Sequence, residues 1–164
     1  MIQTVVKRDG RIVGFNREKI AAAIRKAMLT TERGEDEALV SKIVDRIEFR
    51  GNEHVAKAEN GDFRAFSFRI TAEDKVVVYS GDVRSPDEFA DWSSKCDAVL
   101  MESGHHHPWE VCAKWKENGC EINKVIFMHH GRDYVNQPTQ TAVAARRVWG
   151  KDVIFAEDDM IIEL

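Results

Sequence analysis

Apolar and polar positions alternate with a period of two in several short runs and with a helical period between them. Val5 to Phe15 reads as a β-hairpin turning at Asp9-Gly10, because a two-residue turn needs positive φ at both positions. Asn16 then reads as the N-cap of a helix from Arg17 to about Thr30, with Ile20, Ala23, Ile24, Ala27 and Met28 on one face. A second helix is expected from about Asp36 to Glu48, carrying Val40, Ile43, Val44 and Ile47 on one stripe. Phe49 to Asp62 is polar and reads as a junction, and its His54 as a solvated loop residue or, alternatively, a stray ligand. Phe66 to Ile70 and Lys75 to Tyr79 form a second expected hairpin.

From Val76 onward, three apolar runs rich in β-branched residues each end in polar groups able to hold a metal. Val76 to Tyr79 leads to Asp82, Ala98 to Met101 leads to Glu102, His105, His106 and His107, and Val125 to Met128 leads to His129 and His130. Helical stretches separate the runs: Pro86 to Lys95 with Phe89 and Trp92 inward, then one starting at Pro108 with Val111, Cys112 and Trp115 inward. Gln140 to Trp149 is a further helix, and Asp152 to Ala156 with Met160 to Glu163 are expected as closing strands. This order predicts an α/β fold: an amino-terminal β-hairpin and two helices, then a mostly parallel βαβ sheet. Parallel strands end on one edge, so the carboxylates and imidazoles should gather along a single rim. Such a donor set suits a divalent metal, zinc first and manganese or iron as alternatives. Arg132, next to the histidine pair, is expected either to hold an anionic substrate group or to pair with an acidic neighbour.

Charge narrows the range of partners. Residues 1–50 carry 11 Lys+Arg against 8 Asp+Glu, while residues 51–164 carry 13 against 20. The acidic larger part disfavours a nucleic-acid backbone as the main partner, whereas the basic amino-terminal end suits a small anion. No apolar run reaches membrane-spanning length, and three cysteines without a Cys-x-x-Cys pair do not form a disulfide framework. A cytoplasmic protein acting on a small-molecule substrate, with no nucleic-acid or membrane partner, is the expectation.

Two stretches also resemble known families. VVYSGD, MESGHHHP, MHHGR and the closing AEDDMIIEL make residues from about 64 to 164 similar to the carboxyl-terminal half of a metallo-β-lactamase-fold hydrolase. The resemblance implies half of an αββα sandwich, with Asp82 bridging two metal ions and His129 binding one of them, His130 being the alternative register. It transfers no role to any single member of His105, His106 and His107. The superfamily's His-x-His-x-Asp-His signature does not occur in the sequence, so the implied metal site is incomplete or nonstandard. One half-sandwich would expose an apolar sheet face, which the amino-terminal helices cover in part or a homodimer buries.

VVKRDGRIVGFNREKIAAAIRKA resembles the start of an ATP-cone, the nucleotide-sensing module of ribonucleotide reductases, over residues from about 3 to 48. That resemblance implies ATP or dATP as ligand, with Lys7, Arg8 and Lys19 at its phosphates. The organisation that follows is an ATP-cone-like segment at 1–50, a junction at 51–63 and a metallo-β-lactamase-like half domain at 64–164. A metal-dependent hydrolase, if its site is complete, is the first functional reading. The alternatives are a non-enzymatic adenine-nucleotide-binding regulatory module and a fusion of two half-domains without activity.

Overall fold

In the computed structural model the described residues are 4–6, 12–14, 16–29, 34, 36–57, 59, 61, 63–72 and 74–164. Lys7 and Arg8 lie outside them. Strands β1 (Thr4–Val6) and β2 (Ile12–Gly14) pair antiparallel with Val6 opposite Ile12, and the expected turn at Asp9-Gly10 lies outside the described residues. Helix α1 (Arg17–Met28) follows, and Asn16 caps it, its Oδ1 accepting from the Glu18 N–H at 2.9 Å. Helix α2 (Glu37–Asp45) is capped in the same way by Asp36. Arg25 ties the two helices by pairing with Glu18 and Glu37, and Ala21, Met28 and Val40 form their small shared core.

The second helix ends at Asp45, and Ile47 opens a strand, β3 (Ile47–Asn52), rather than continuing a helical stripe. Ile47 and Phe49 alternate with Glu48 and Arg50, and pairing with the next strand satisfies the backbone that a longer helix would otherwise have to bond. Strands β4 (Ala65–Ala72) and β5 (Lys75–Tyr79) form the expected hairpin. Strands β6 (Lys95–Ser103), β7 (Glu121–His130) and β8 (Val153–Phe155) complete a mixed six-stranded sheet in sequential order. Pairs β5·β6, β6·β7 and β7·β8 are parallel, whereas β3·β4 and β4·β5 are antiparallel. Residues 160–163 belong to no strand, which corrects the expected closing hairpin.

The crossovers are a 3-10 turn (Pro86–Phe89) running into α3 (Ala90–Ser93), then α4 (Pro108–Glu117), then α5 (Arg132–Asn136) with α6 (Pro138–Trp149). Parallel crossovers share one hand, and strands 5 to 8 are added in one direction, so these helices collect on one face. The main core lies there, with Val78, Val99, Val125 and Val153 in one cross-strand row and Met101, Phe127 and Phe155 in the next. Phe89, Val111, Cys112, Trp115 and Trp149 close over them. On the opposite face, Phe49, Phe68, Tyr79, Leu100, Ile126 and Ile154 stand in register across all six strands. This row is only partly covered, and Tyr79 is 37% exposed.

Candidate metal centre

Strand direction decides which loops meet. β3 runs parallel to β5 because each is antiparallel to β4, so the carboxyl ends of β3, β5, β6, β7 and β8 all reach one rim. Asp82 comes there from the loop after β5. The turn before it needs Gly81, whose φ is +59° and where a Cβ would lie 2.4 Å from the Phe66 carbonyl oxygen. Glu102 is the penultimate residue of β6 and is fully buried, while His105 follows in the loop.

His129 arrives through an irregularity. Glu102 pairs with Met128 but Ser103 pairs with His130, so His129 is an extra residue in β7, with φ of +48°. The bulge gives the two adjacent histidines different surroundings. His130 takes the next core-side position, its ring against Tyr134 and Phe155 and its Nε2–H donating to the Ala156 carbonyl at 2.7 Å. His129 is released toward the rim, where its Nδ1 lies 2.7 Å from Asp82 Oδ1.

Asp82, Glu102, His105 and His129 can each present a ligand atom such that all four lie within 4.8 Å of one another. Two carboxylates and two imidazoles are a donor set that zinc, iron or manganese accepts. The buried Glu102 carboxylate supports the fit. It accepts from the His105 backbone N–H at 2.9 Å and faces His105 Nδ1 at 3.2 Å and His106 Nε2 at 3.4 Å. No lysine or arginine is paired with it among the described residues, and a buried carboxylate needs compensation that a cation held by this group would provide. Asp82 and His129 leave the far side of the group open, with side chains 41% and 52% exposed.

The other histidines of the triplet have different partners. His106 Nε2 also lies 2.9 Å from the Val83 carbonyl, and since both neighbours are acceptors this nitrogen carries the proton. His107 pairs with Asp133 and stacks on Trp109 at 4.8 Å. His54 is brought in from the end of β3, and its ring centroid lies 4.5 Å from that of His105, which is 5.7 Å from that of His129. The signal for His54 was the direction of β3, which stays hidden as long as Ile47 is read as helical.

Beneath the rim a buried polar chain links these strands. Asn52 Nδ2 donates to Ser67 Oγ at 3.3 Å, and Ser67 Oγ donates to the Ser80 carbonyl at 2.6 Å. Ser80 Oγ accepts from the Glu102 N–H at 3.0 Å. Lys19 stands apart from this group, exposed in the first turn of α1.

Comparison with known proteins agrees with both parts of the chain. Residues 3–61 match the ATP cone domain family. A vitamin B12-dependent ribonucleoside-diphosphate reductase of Thermoplasma acidophilum is 48% identical over 50 residues, which are 29% of this chain and 6% of that protein. The metallo-beta-lactamase fold protein YhfI of Bacillus subtilis superposes with a TM-score of 0.56 at 21% identity, covering 71% of this chain and 49% of that one. The chain thus spans about half the length of that structural neighbour and a small fraction of the reductase. None of the described helices is long and apolar enough to cross a membrane. The amino-terminal ATP-cone match therefore runs into the first strand of a mixed six-stranded α/β sheet that has the metallo-β-lactamase fold and carries a group of side chains able to hold a metal ion.

Proposed function

We propose that this protein is a cytoplasmic, metal-dependent hydrolase acting on a small molecule, with zinc as the favoured ion and manganese or iron as substitutes. The observation that carries this reading is the convergence of Asp82, Glu102, His105 and His129 at the rim. His54, packed on His105, is a fifth candidate ligand. A divalent ion there supplies Lewis acidity and lowers the pKa of a water molecule. The chain's own groups prepare the place: Glu102 fixes the loop of His105 from below, and Asp82 orients the His129 ring. The exposed side of Asp82 and His129 leaves room for a substrate to approach. Elemental analysis of purified protein should find a stoichiometric divalent metal, lost in Asp82→Ala and in His129→Ala. Metal-free wild type after reconstitution with each of the three ions would overturn the reading.

The match of residues 3–61 to the ATP cone domain favours a second role, the binding of ATP or dATP at Lys7, Arg8 and Lys19 as a regulatory signal. Cations near a helix amino terminus with free N–H groups form a phosphate cradle. ATP should raise the melting temperature of wild type, and the Lys7→Ala, Lys19→Ala double variant should lose that shift. If nucleotide stabilises and metal is absent, the regulatory role stands alone.

The partly covered apolar row from Phe49 to Ile154, with Tyr79 its exposed member, supports a further proposal, that two copies pair through this sheet face, since apolar surface left open to water favours an interface. Sedimentation at micromolar concentration should give a dimer, and Tyr79→Glu should give a monomer. A wild-type monomer at all accessible concentrations rules the pairing out.

A further inference from the structure

Beside the metal group, on the far side of the His107–Asp133 pair, a cleft of about 820 Å³ opens between α5, α6 and the start of α4. Its volume is in the range of small-molecule sites. Val143 and Val148 supply apolar wall, Trp109 an indole, Gln140 an amide, and Arg132 and Arg147 two guanidinium groups.

These two arginines differ from many of their kind in this chain. Arg25, Arg50, Arg69, Arg84 and Arg146 each face a carboxylate. Arg132 and Arg147 have no ion pair among the described residues. The one carboxylate in the cleft wall, Asp133, is engaged by His107. Residues 51–164 carry 13 cationic side chains against 20 anionic ones, so the cleft is a local concentration of unpaired positive charge on an otherwise acidic domain. Arginine presents a planar fork of donors that matches carboxylate or phosphate oxygens. Trp109 stacks one ring, His107, at an interplanar angle of 17°, and an indole has a second face.

We propose that this cleft binds a flat ring bearing an anionic oxygen group, phosphate or carboxylate, with the anion at Arg132 and Arg147 and the ring against Trp109. This site is separate from the metal group and does not depend on it.

The test is calorimetric titration of EDTA-treated full-length protein with phenyl phosphate, benzoate and inorganic phosphate. The proposal expects phenyl phosphate or benzoate to bind more tightly than inorganic phosphate, the tighter of the two naming the anion. Arg132→Gln and Arg147→Gln should each weaken binding about tenfold or more, as loss of a charged hydrogen bond does. Trp109→Leu should erase the advantage of the ring while leaving affinity for inorganic phosphate unchanged. Both side chains are on the surface, so the arginine variants should keep the wild-type melting curve. Absence of binding at millimolar concentration, or binding that neither arginine variant weakens, overturns the proposal. Because the protein is metal-free throughout, failure here leaves the metal reading untouched, and failure of the metal reading leaves this one standing.

Discussion

His129→Gly and His129→Ala should differ in stability although both remove the same imidazole. His129 is the bulged residue of β7 and holds a φ of +48°. A left-handed conformation costs a non-glycine residue roughly 1–2 kcal/mol, and glycine almost nothing. Glycine loses about 0.5–1 kcal/mol more backbone entropy on folding than alanine, which offsets part of that gain. The balance favours the glycine variant by about 0.5–1 kcal/mol, or a melting temperature about 2 °C higher for a chain of this size. Removing the Asp82 pair should matter little to either, because both side chains are roughly half exposed and such pairs contribute at most about 1 kcal/mol. Melting should be followed by circular dichroism in EDTA, where any bound ion is stripped. If the alanine variant melts at or above the glycine variant, His129 is not left-handed, and the bulge that separates His129 from His130 would go with it.

Phe127 is fully buried and stacked on Phe155 at 5.3 Å, so Phe127→Ala should cost about 3–5 kcal/mol in urea unfolding; a loss below about 1 kcal/mol would contradict its place in the core. Burial pushes the Cys96 and Cys112 thiols up to about 12, while Cys120 is less buried. A thiol reagent at pH 8 should therefore label Cys120 first and the other two only on unfolding, and Cys120→Ser should abolish the early phase. Arg50 donates to both oxygens of Asp91 and holds that carboxyl below its ordinary range. A depressed folded-state value stabilises above the unfolded pKa, so wild type should exceed Asp91→Asn at neutral pH and lose its lead as pH falls below about 4. A gap independent of pH in denaturant titrations would show that the pairing is not electrostatic.

The strands that build the rim were legible because Val76–Tyr79, Ala98–Met101 and Val125–Met128 are apolar, β-branched and bounded by polar loops. Their shared direction followed from the helices between them, and with it the meeting of Asp82 and His129 at 2.7 Å. β3 was hidden because Ile47 continues the helical spacing of Val40, Ile43 and Val44 while also alternating with Phe49, and only pairing with β4 decides between the two. The same ambiguity left open whether His54 was a ligand or a solvated loop residue, because its place at the rim depends on the direction of β3. Which of His129 and His130 faces the rim depends on an inserted residue in β7, and two identical side chains in succession give no local sign of it. Pairing of Arg132 with an acidic neighbour, open from the sequence, does not occur among the described residues.

The buried run from Asn52 through Ser67 and Ser80 to Glu102 has a mechanical consequence. Asn52 closes the strand that follows α2, and Glu102 sits one residue before the end of β6, so three hydrogen bonds in series connect them. Sliding β3 by one position would strand buried donors and acceptors at a cost of about 1–3 kcal/mol each. Slippage of β3 along β4 is therefore opposed by a buried polar contact directly beneath the rim.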